Sequence, residues 1–290
     1  MKLPLWLKTN TFKDLSPTKQ LLRKYGLTTV CEEARCPNKG HCFSRPTAAF
    51  MILGHDCTRA CGFCSVNHHV PAPISMDEPQ RVAEAAKELN LRHVVITSVT
   101  RDDLPDGGAQ QFARTISAIK NLLPEAAIEV LTPDFKGNIV DLHIVLAAMP
   151  DVFNHNIETI PSLYNIVRPQ ADYKRSLDVL REAHDYSIDK KLRVKSGLMV
   201  GFGERFDQVV SVINDLRQTG CELLTIGQYM RPSKKNLPVV EYIVPEVFEQ
   251  YKKIAYDAGF SFVASGPLVR SSMNADEMLR KLGKLGADTI

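Results

Sequence analysis

The stretch AAFMILGHDCTRACGFC, residues 48–64, sets the terms for the whole chain. Its first part, Ala48–Leu53, is a continuous apolar run with the length of a buried strand. Its second part carries Cys57, Cys61 and Cys64, with three and then two residues between them. Three thiolates on one short loop hold three corners of a cubane iron–sulfur cluster, and the fourth iron stays open to a substrate or cofactor. A structural zinc knuckle also uses closely spaced cysteines, and His55, His68 and His69 stand near enough in sequence to compete as a fourth ligand. Two features favour iron–sulfur. The spacing is three then two rather than a paired two and two, and the loop follows the first strand of an α/β array, where a barrel enzyme places its cofactor.

Outward from this stretch the chain alternates. Apolar strand-like runs fall at Ala48–Leu53, His93–Thr97, Ala126–Leu131, Asp151–Ile157, Leu192–Val200 and Leu223–Tyr229. Helical patterns fall between or after them, at Gln80–Leu89, Gly108–Leu123, Ile139–Met149, Tyr173–Tyr186, Arg205–Thr219 and Pro245–Ala258. Six strand–helix units in succession predict parallel strands joined by crossover helices. An open doubly wound sheet and a barrel both fit. The expected fold class is α/β, a partial (β/α)6 TIM-type barrel with N- and C-terminal extensions. In either architecture the site lies at the carboxyl ends of the strands, where His55, Ser98, Asp134, Asn156, Glu158, Glu204 and Arg231 fall. The expected division is residues 1–45, an extension carrying cysteines; 46–259, the barrel; and 260–290, a C-terminal extension.

The N-terminal part differs from the rest. Pro17–Tyr25 reads as a short helix with Gly26 at its end. The segment CEEARCPNKGHC, residues 31–42, has no apolar periodicity, so something other than a core is expected to order it. Six of the seven cysteines lie between Cys31 and Cys64, and Cys221 stands apart as a small buried hydrophobe. In a reducing compartment such clustering points to metal ligands rather than disulfides. Past Phe260 the sequence reads as a short strand, a turn at Gly266–Pro267 and a basic helix after Asn274.

A net charge of +3 with both signs interspersed argues against a nucleic-acid binder, and the basic clusters at Lys190–Lys191, Lys234–Lys235 and Arg280–Lys284 read as solvated faces. No run is long enough to span a bilayer, and the N-terminus lacks the apolar core of a signal peptide, so a cytoplasmic location without membrane partners is expected.

The cysteine loop with Phe63 before its last cysteine resembles the radical S-adenosylmethionine (SAM) superfamily. That resemblance implies that Cys57, Cys61 and Cys64 ligate a 4Fe–4S cluster whose open iron is chelated by SAM, and that electron transfer yields a 5′-deoxyadenosyl radical. It places Phe63 near the adenine. GLMVGFGE, residues 197–204, resembles the superfamily's Gly-x-Ile-x-Gly-x-x-Glu strand, with Met199 at the apolar position. Polar strand-end groups are expected to contact SAM. Asn156 and Glu158 would share one face of their strand, and His155 would point away as a satisfied structural histidine. Ser98 and Arg101–Asp103 read equally as SAM contacts or as a capped helix entry. Arg168 and Arg231 either face the site or pair with carboxylates.

Within the superfamily the chain resembles the lipoyl synthase family along almost its whole length. PLWLK (4–8), CEEARCPN (31–38), TSVTRDDLPDGGAQQF (97–112), EVLTPDF (129–135), FNHNIET (153–159), VRPQADYKRSL (167–177), GQYMRPS (227–233) and GPLVRSS (266–272) carry the likeness. It implies a second, auxiliary 4Fe–4S cluster on Cys31, Cys36 and Cys42, with Ser272 of the Arg-Ser-Ser motif as fourth ligand. A hard alkoxide among soft thiolates is a weakly held ligand, which suits a cluster that gives up sulfide. Read without the resemblance, Ser271 and Ser272 are local caps. Met273 stands where the family usually has Tyr. The implied reaction inserts two sulfur atoms into an octanoyl chain on a lysine of a lipoyl carrier protein, such as the E2 lipoyl domain of a 2-oxoacid dehydrogenase or the glycine cleavage H protein. The expected electron donor is a reductase, ferredoxin or flavodoxin. Those octanoyl carbons carry no acidic protons, so radical chemistry is required and the protein positions and excludes. Biotin synthases, methylthiotransferases and a non-catalytic zinc protein are the competing readings. The cysteine block and the Arg-Ser-Ser tail argue against the two enzyme classes.

Overall fold

Each apolar run singled out above becomes a strand of one sheet in the computed structural model, which describes residues 2–8, 17–43 and 48–272. Strands β2 (Ala49–Ile52), β3 (His93–Ser98), β4 (Ala127–Leu131), β5 (Val152–Asn154), β6 (Arg193–Val200), β7 (Leu223–Gln228) and β8 (Phe262–Gly266) are all parallel. They lie side by side in chain order without a reversal. That order excludes a doubly wound sheet, which needs a point where the strand order turns back. Right-handed crossovers that always step the same way place every helix on one face. Helices α4 (Glu78–Glu88), α5 (Ala109–Leu122), α6 (Ile139–Ala147), α8 (Tyr173–Ser187), α9 (Phe206–Gln218) and α10 (Pro245–Asp257) form that layer, each touching the next. The two sheet edges do not pair with each other among the described residues, so the barrel is partial.

Alternation along the strands sorts the side chains. Phe50, Ile52, Ile96, Ile128, Val130 and Val194 belong to the main core under the helices. At the base of the inner face Ala127, Val152, Leu223, Phe262 and Ala264 form a separate small core. Further up, the inner face mixes polar groups such as Thr97, Glu129, Asn154 and Thr225 with Gly197 and Gly227 and the apolar Ala49, Val95, Leu131 and Met199.

Four features depart from the expected pattern. The sheet runs past residue 259, because Phe262–Gly266 adds a seventh parallel strand. At the other edge, β1 (Thr28–Thr29) pairs antiparallel with β2. The cysteine segment that follows is more regular than expected, with helical turns at α2 (Val30–Glu33) and α3 (Lys39–Phe43). Protein contacts order it: Thr29 accepts the N–H of Glu32 at the start of α2, Phe43 is buried, and Cys31 and Cys42 pack against the main core. Finally, β5 stops at Asn154 instead of running to Ile157. The Ile157 N–H turns to the Ser196 hydroxyl at 3.2 Å rather than to a strand carbonyl, and Glu158 takes a φ of 66°. Alternation fails there, and Glu158 rejoins β6 through a single bridge to Leu198.

The loop from Cys57 to Cys64 leaves the end of β2 and is tied to its neighbours. Arg59, 5% exposed, donates to Asp102 at 2.7 and 3.0 Å and to Asp134 at 2.7 Å. Asp102 follows β3 and Asp134 follows β4, so one guanidinium joins three strand ends. The bidentate geometry with Asp102 is the strong form of this pair. Arg59 holds the buried Asp134 carboxyl well below the usual carboxylate range, and Arg175 assists at 3.3 Å.

A carboxyl depressed in the fold stabilises it above its unfolded pKa of about 3.9, and that contribution is withdrawn as pH falls below it. Arg59→Met therefore removes about 3–5 kcal/mol at neutral pH, the cost of orphaning one member of a buried pair. It also moves acid unfolding of the metal-free chain to higher pH. Circular dichroism against pH checks this, and an unshifted acid midpoint would contradict it.

Candidate functional site: two cysteine triads at the barrel mouth

The first triad is built from backbone hydrogen bonds before any metal is considered. The Cys57 N–H donates to Asn67 O, Gly62 N–H to Val167 O, and Leu237 N–H to Gly62 O, at 2.8–3.0 Å. A Cβ on Gly62 would overlap the Leu237 side chain, so the loop approaches that segment as closely as a glycine permits. Asn236 donates its amide to Cys64 O at 2.6 Å. The Cys57 sulfur accepts the N–H groups of Arg59 at 3.4 Å and Thr100 at 3.3 Å. Such N–H donors stabilise a thiolate and tune an iron–sulfur cluster.

The second triad lies on the cysteine segment. Cys31 is in the first turn of α2, Cys36 follows the α2 terminus, and Cys42 is in α3. The Cys36 N–H returns to Cys31 O at 3.0 Å, and Arg35 takes a φ of 51° to let the chain turn back. All six cysteines are outside any disulfide and half-buried, whereas Cys221 is fully buried, its thiol against backbone carbonyls. Burial pushes the Cys31 and Cys64 thiols up to about 12 and raises Cys61. Such groups need a cation to ionise, and a coordinated metal deprotonates them outright. Among the described residues no three His, Cys, Asp or Glu side chains converge as ligands of a single ion. In a cubane each thiolate takes a different iron, and three cysteines on each segment match that donor set in kind and number.

A cavity of about 240 Å³ opens between the triads at the carboxyl ends of the strands. Cys31 and Cys36 line one side and Cys64 with Phe63 another. Asn156 and Glu158 line it from the kink after β5, Met199 from β6, and Ser272 from the C-terminal segment. Cys42, Cys57 and Cys61 sit outside this lining. Phe63 and Met199 pack in an apolar cluster with Phe202 and Tyr229, whose rings stack at 4.2 Å. Asn156 and Glu158 do meet, with Asn156 Nδ2 donating to Glu158 Oε1 at 3.1 Å. They meet through the kink after β5, not through strand alternation. Burial raises the Glu158 pKa, with the nearby Arg168 guanidinium opposing it.

Ser98 is a correction. It shares the parity of Ile96 toward the helices, its hydroxyl is buried without a partner, and Thr97 lines the cavity in its place. The run His93–Ser98 is apolar on both faces, so its parity could not be read beforehand. Other strand-end groups serve the scaffold. Arg101 pairs with Asp103 and donates to Leu53 O. Arg168 is buried and donates to Asn156 O at 3.0 Å. Arg231 shapes its own loop through Asn236 O and Lys234 O. Glu204 accepts the N–H groups of Gly201 and Phe202, closing the turn of its glycine motif. His155 is buried with both ring nitrogens engaged, by Thr132 O and Ser176 Oγ.

Sequence reasoning missed a polar group on the inner face. Lys195 on β6 and Glu129 on β4 are both buried and pair at 2.8 Å. Asn154 Nδ2 donates to Glu129 at 3.2 Å. A charged residue inside an otherwise apolar parallel strand was the available signal. Met273 and the basic helix expected after Asn274 lie outside the described residues. No described helix is long and apolar enough to cross a membrane.

Residues 51–216 match the model of the radical SAM superfamily. The chain is 54% identical to lipoyl synthase of Alkaliphilus metalliredigens over 280 residues, covering 96% of each chain. It is 53% identical to lipoyl synthase of Caldanaerobacter subterraneus subsp. tengcongensis, covering 94% of this chain and 95% of that one. Among solved structures, methylornithine synthase (PylB) superposes with a TM-score of 0.53 at 14% identity, over 90% of this chain and 82% of that one. SuiB of Streptococcus suis bound to S-adenosylmethionine superposes at 0.56 and 10% identity, over 74% of this chain and 49% of that one. At such identities the two structures speak for the partial barrel alone. The relatives match along nearly their whole length, through both cysteine segments and the barrel strands that follow. The chain belongs to the lipoyl synthase family of radical SAM enzymes.

Proposed function

We propose that the two triads hold the two 4Fe–4S clusters of this family: Cys57, Cys61 and Cys64 the SAM-binding cluster, and Cys31, Cys36, Cys42 and Ser272 the auxiliary one. The reaction is insertion of two sulfur atoms into the octanoyl chain on a lysine of a lipoyl carrier protein. The observation that carries this reading is the shared cavity, lined by Cys64 from one triad, Cys31 and Cys36 from the other, and Ser272. When bound, one cluster supplies an electron to SAM and the other supplies sulfur. The protein's part is placement and exclusion of water, because radical transfer needs reacting groups in near contact.

Phe63 and Met199 offer an apolar wall for the adenine, and Asn156 and Glu158 offer polar groups for the ribose or the methionyl end of SAM. Ser98, turned toward the helices, is set aside. The Ser272 hydroxyl makes no hydrogen bond within the described residues, which leaves its oxygen available to iron. The division at residues 45 and 259 remains a functional one, since each extension brings a cluster ligand to the barrel. The carrier is an octanoylated E2 lipoyl domain or H protein, and the donor a reductase, ferredoxin or flavodoxin in the cytoplasm.

The two triads separate by mutation. Cys57→Ala retains about four iron atoms per chain and forms no 5′-deoxyadenosine. Cys31→Ala also retains about four, cleaves SAM and inserts no sulfur. Iron and acid-labile sulfide analysis with product mass spectrometry checks both, and sulfur insertion by Cys31→Ala would contradict the assignment. Ser272→Ala is expected to cut sulfur insertion at least tenfold while SAM cleavage continues. Undiminished insertion would remove Ser272 from the ligand set.

A further inference from the structure

The segment after β8 does not leave the sheet. The chain turns at residues 267–268 and crosses the inner face of β7, where Gln228 N–H donates to Pro267 O at 3.3 Å. Gly227 makes the crossing possible, since a Cβ there would overlap the Val269 carbonyl. Val269 packs on the small core at the base of the inner face. From the side of the cysteine segment, Asn38 donates to Leu268 O at 2.6 Å. Ser271 then meets the sheet. Its hydroxyl donates to Asn156 Oδ1 and accepts from Asn154 Nδ2, both at 2.9 Å. Its carbonyl accepts from Lys195 Nζ at 2.6 Å. Lys195 is held in place by Glu129 at 2.8 Å.

A buried ion pair is an expensive way to fill an inner face, and apolar residues of the same volume are often as stable or more so. Stability therefore does not account for Lys195 and Glu129. Their geometry does: the pair presents one charged donor to a carbonyl on a segment that has no strand partner of its own. An unpaired buried carbonyl would otherwise oppose docking. Ser271 precedes Ser272 directly, so fixing the Ser271 peptide fixes where Ser272 stands in the cavity it lines with Cys31 and Cys36.

We propose that Lys195, oriented by Glu129, is a positioning residue that anchors the Arg270–Ser272 segment on the inner face of the sheet and thereby places Ser272 at the auxiliary site. The second part of this inference rests on the reading of Ser272 as a ligand. Lys195 would contact neither SAM nor the octanoyl chain. It acts through the tail.

The test uses the full chain. Lys195→Met alone leaves Glu129 charged and buried, so the double variant Glu129→Gln/Lys195→Met is the primary probe, and Lys195→Arg supplies the conservative rescue. Hydrogen–deuterium exchange of the metal-free chain reads the anchor without any cluster. The amides of residues 268–272 are expected to exchange roughly tenfold faster or more in the double variant, with the strands β3–β7 unchanged and Lys195→Arg near the parent. In the reconstituted enzyme the double variant is expected to keep forming 5′-deoxyadenosine while sulfur insertion falls at least tenfold. Tail exchange at the parent rate would overturn the anchor. Fast tail exchange with undiminished sulfur insertion would overturn the link to Ser272. Ser272→Ala, with parent-like tail exchange, separates failure of the ligand reading from failure of the anchor.

Discussion

A parallel sheet with all its helices on one side leaves its other face uncovered. A closed barrel solves this by curling until the inner face covers itself. Among the described residues this sheet has seven parallel strands and a short antiparallel edge, so the inner face needs other cover. Its base is filled by a small apolar core. Its upper part is met by the cysteine segment from one end of the chain and by the segment after β8 from the other. These two segments meet each other as well, through Asn38 and Leu268. An open barrel thus gains a cavity whose walls come from three widely separated parts of the sequence. Residues from both cysteine triads and from the Arg-Ser-Ser tail face one space because all three segments have to pack over the same sheet.

The two triads are held differently. The loop from Cys57 to Cys64 is pinned on all sides by backbone hydrogen bonds and by Arg59, which ties it to the ends of β3 and β4. The cysteine segment from Cys31 to Cys42 stands on two short helices and one two-residue strand. The difference suits a catalyst that keeps one cluster and consumes the other. On the proposed assignment, the firmly tied loop would hold the radical-forming cluster, and three thiolates with one alkoxide would hold a cluster that opens.

Much of this was legible in the sequence, and the limits are physical. The strand runs are near-continuous in apolar residues, so six of the strands and their parallel sense followed from pattern alone, while their order was open between a doubly wound sheet and a barrel. The same continuity hid which residues face inward: Ser98, which reads equally as a SAM contact or as part of a capped helix entry, faces the helices, and Thr97 lines the cavity. The kink after β5 was hidden because a hydroxyl, Ser196 Oγ, replaces a ladder carbonyl, and no periodicity reports that. Lys195 and Glu129 were visible as charges inside apolar runs, but their pairing reaches across the intervening strand β5 and nothing local announces it. Resemblance supplied the ligand role of Ser272. The structure adds the contacts of Ser271 with Asn154, Asn156 and Lys195, more than seventy residues away in sequence.

The central claim is that one chain makes the radical and supplies the sulfur in a single cavity. It is tested most directly by incubating the reconstituted chain with an octanoyl-lysyl peptide, SAM and a strong reductant, then weighing the peptide. The account predicts a product carrying two added sulfur atoms, with two molecules of 5′-deoxyadenosine formed for each. 5′-Deoxyadenosine with no sulfur added to the peptide would contradict it.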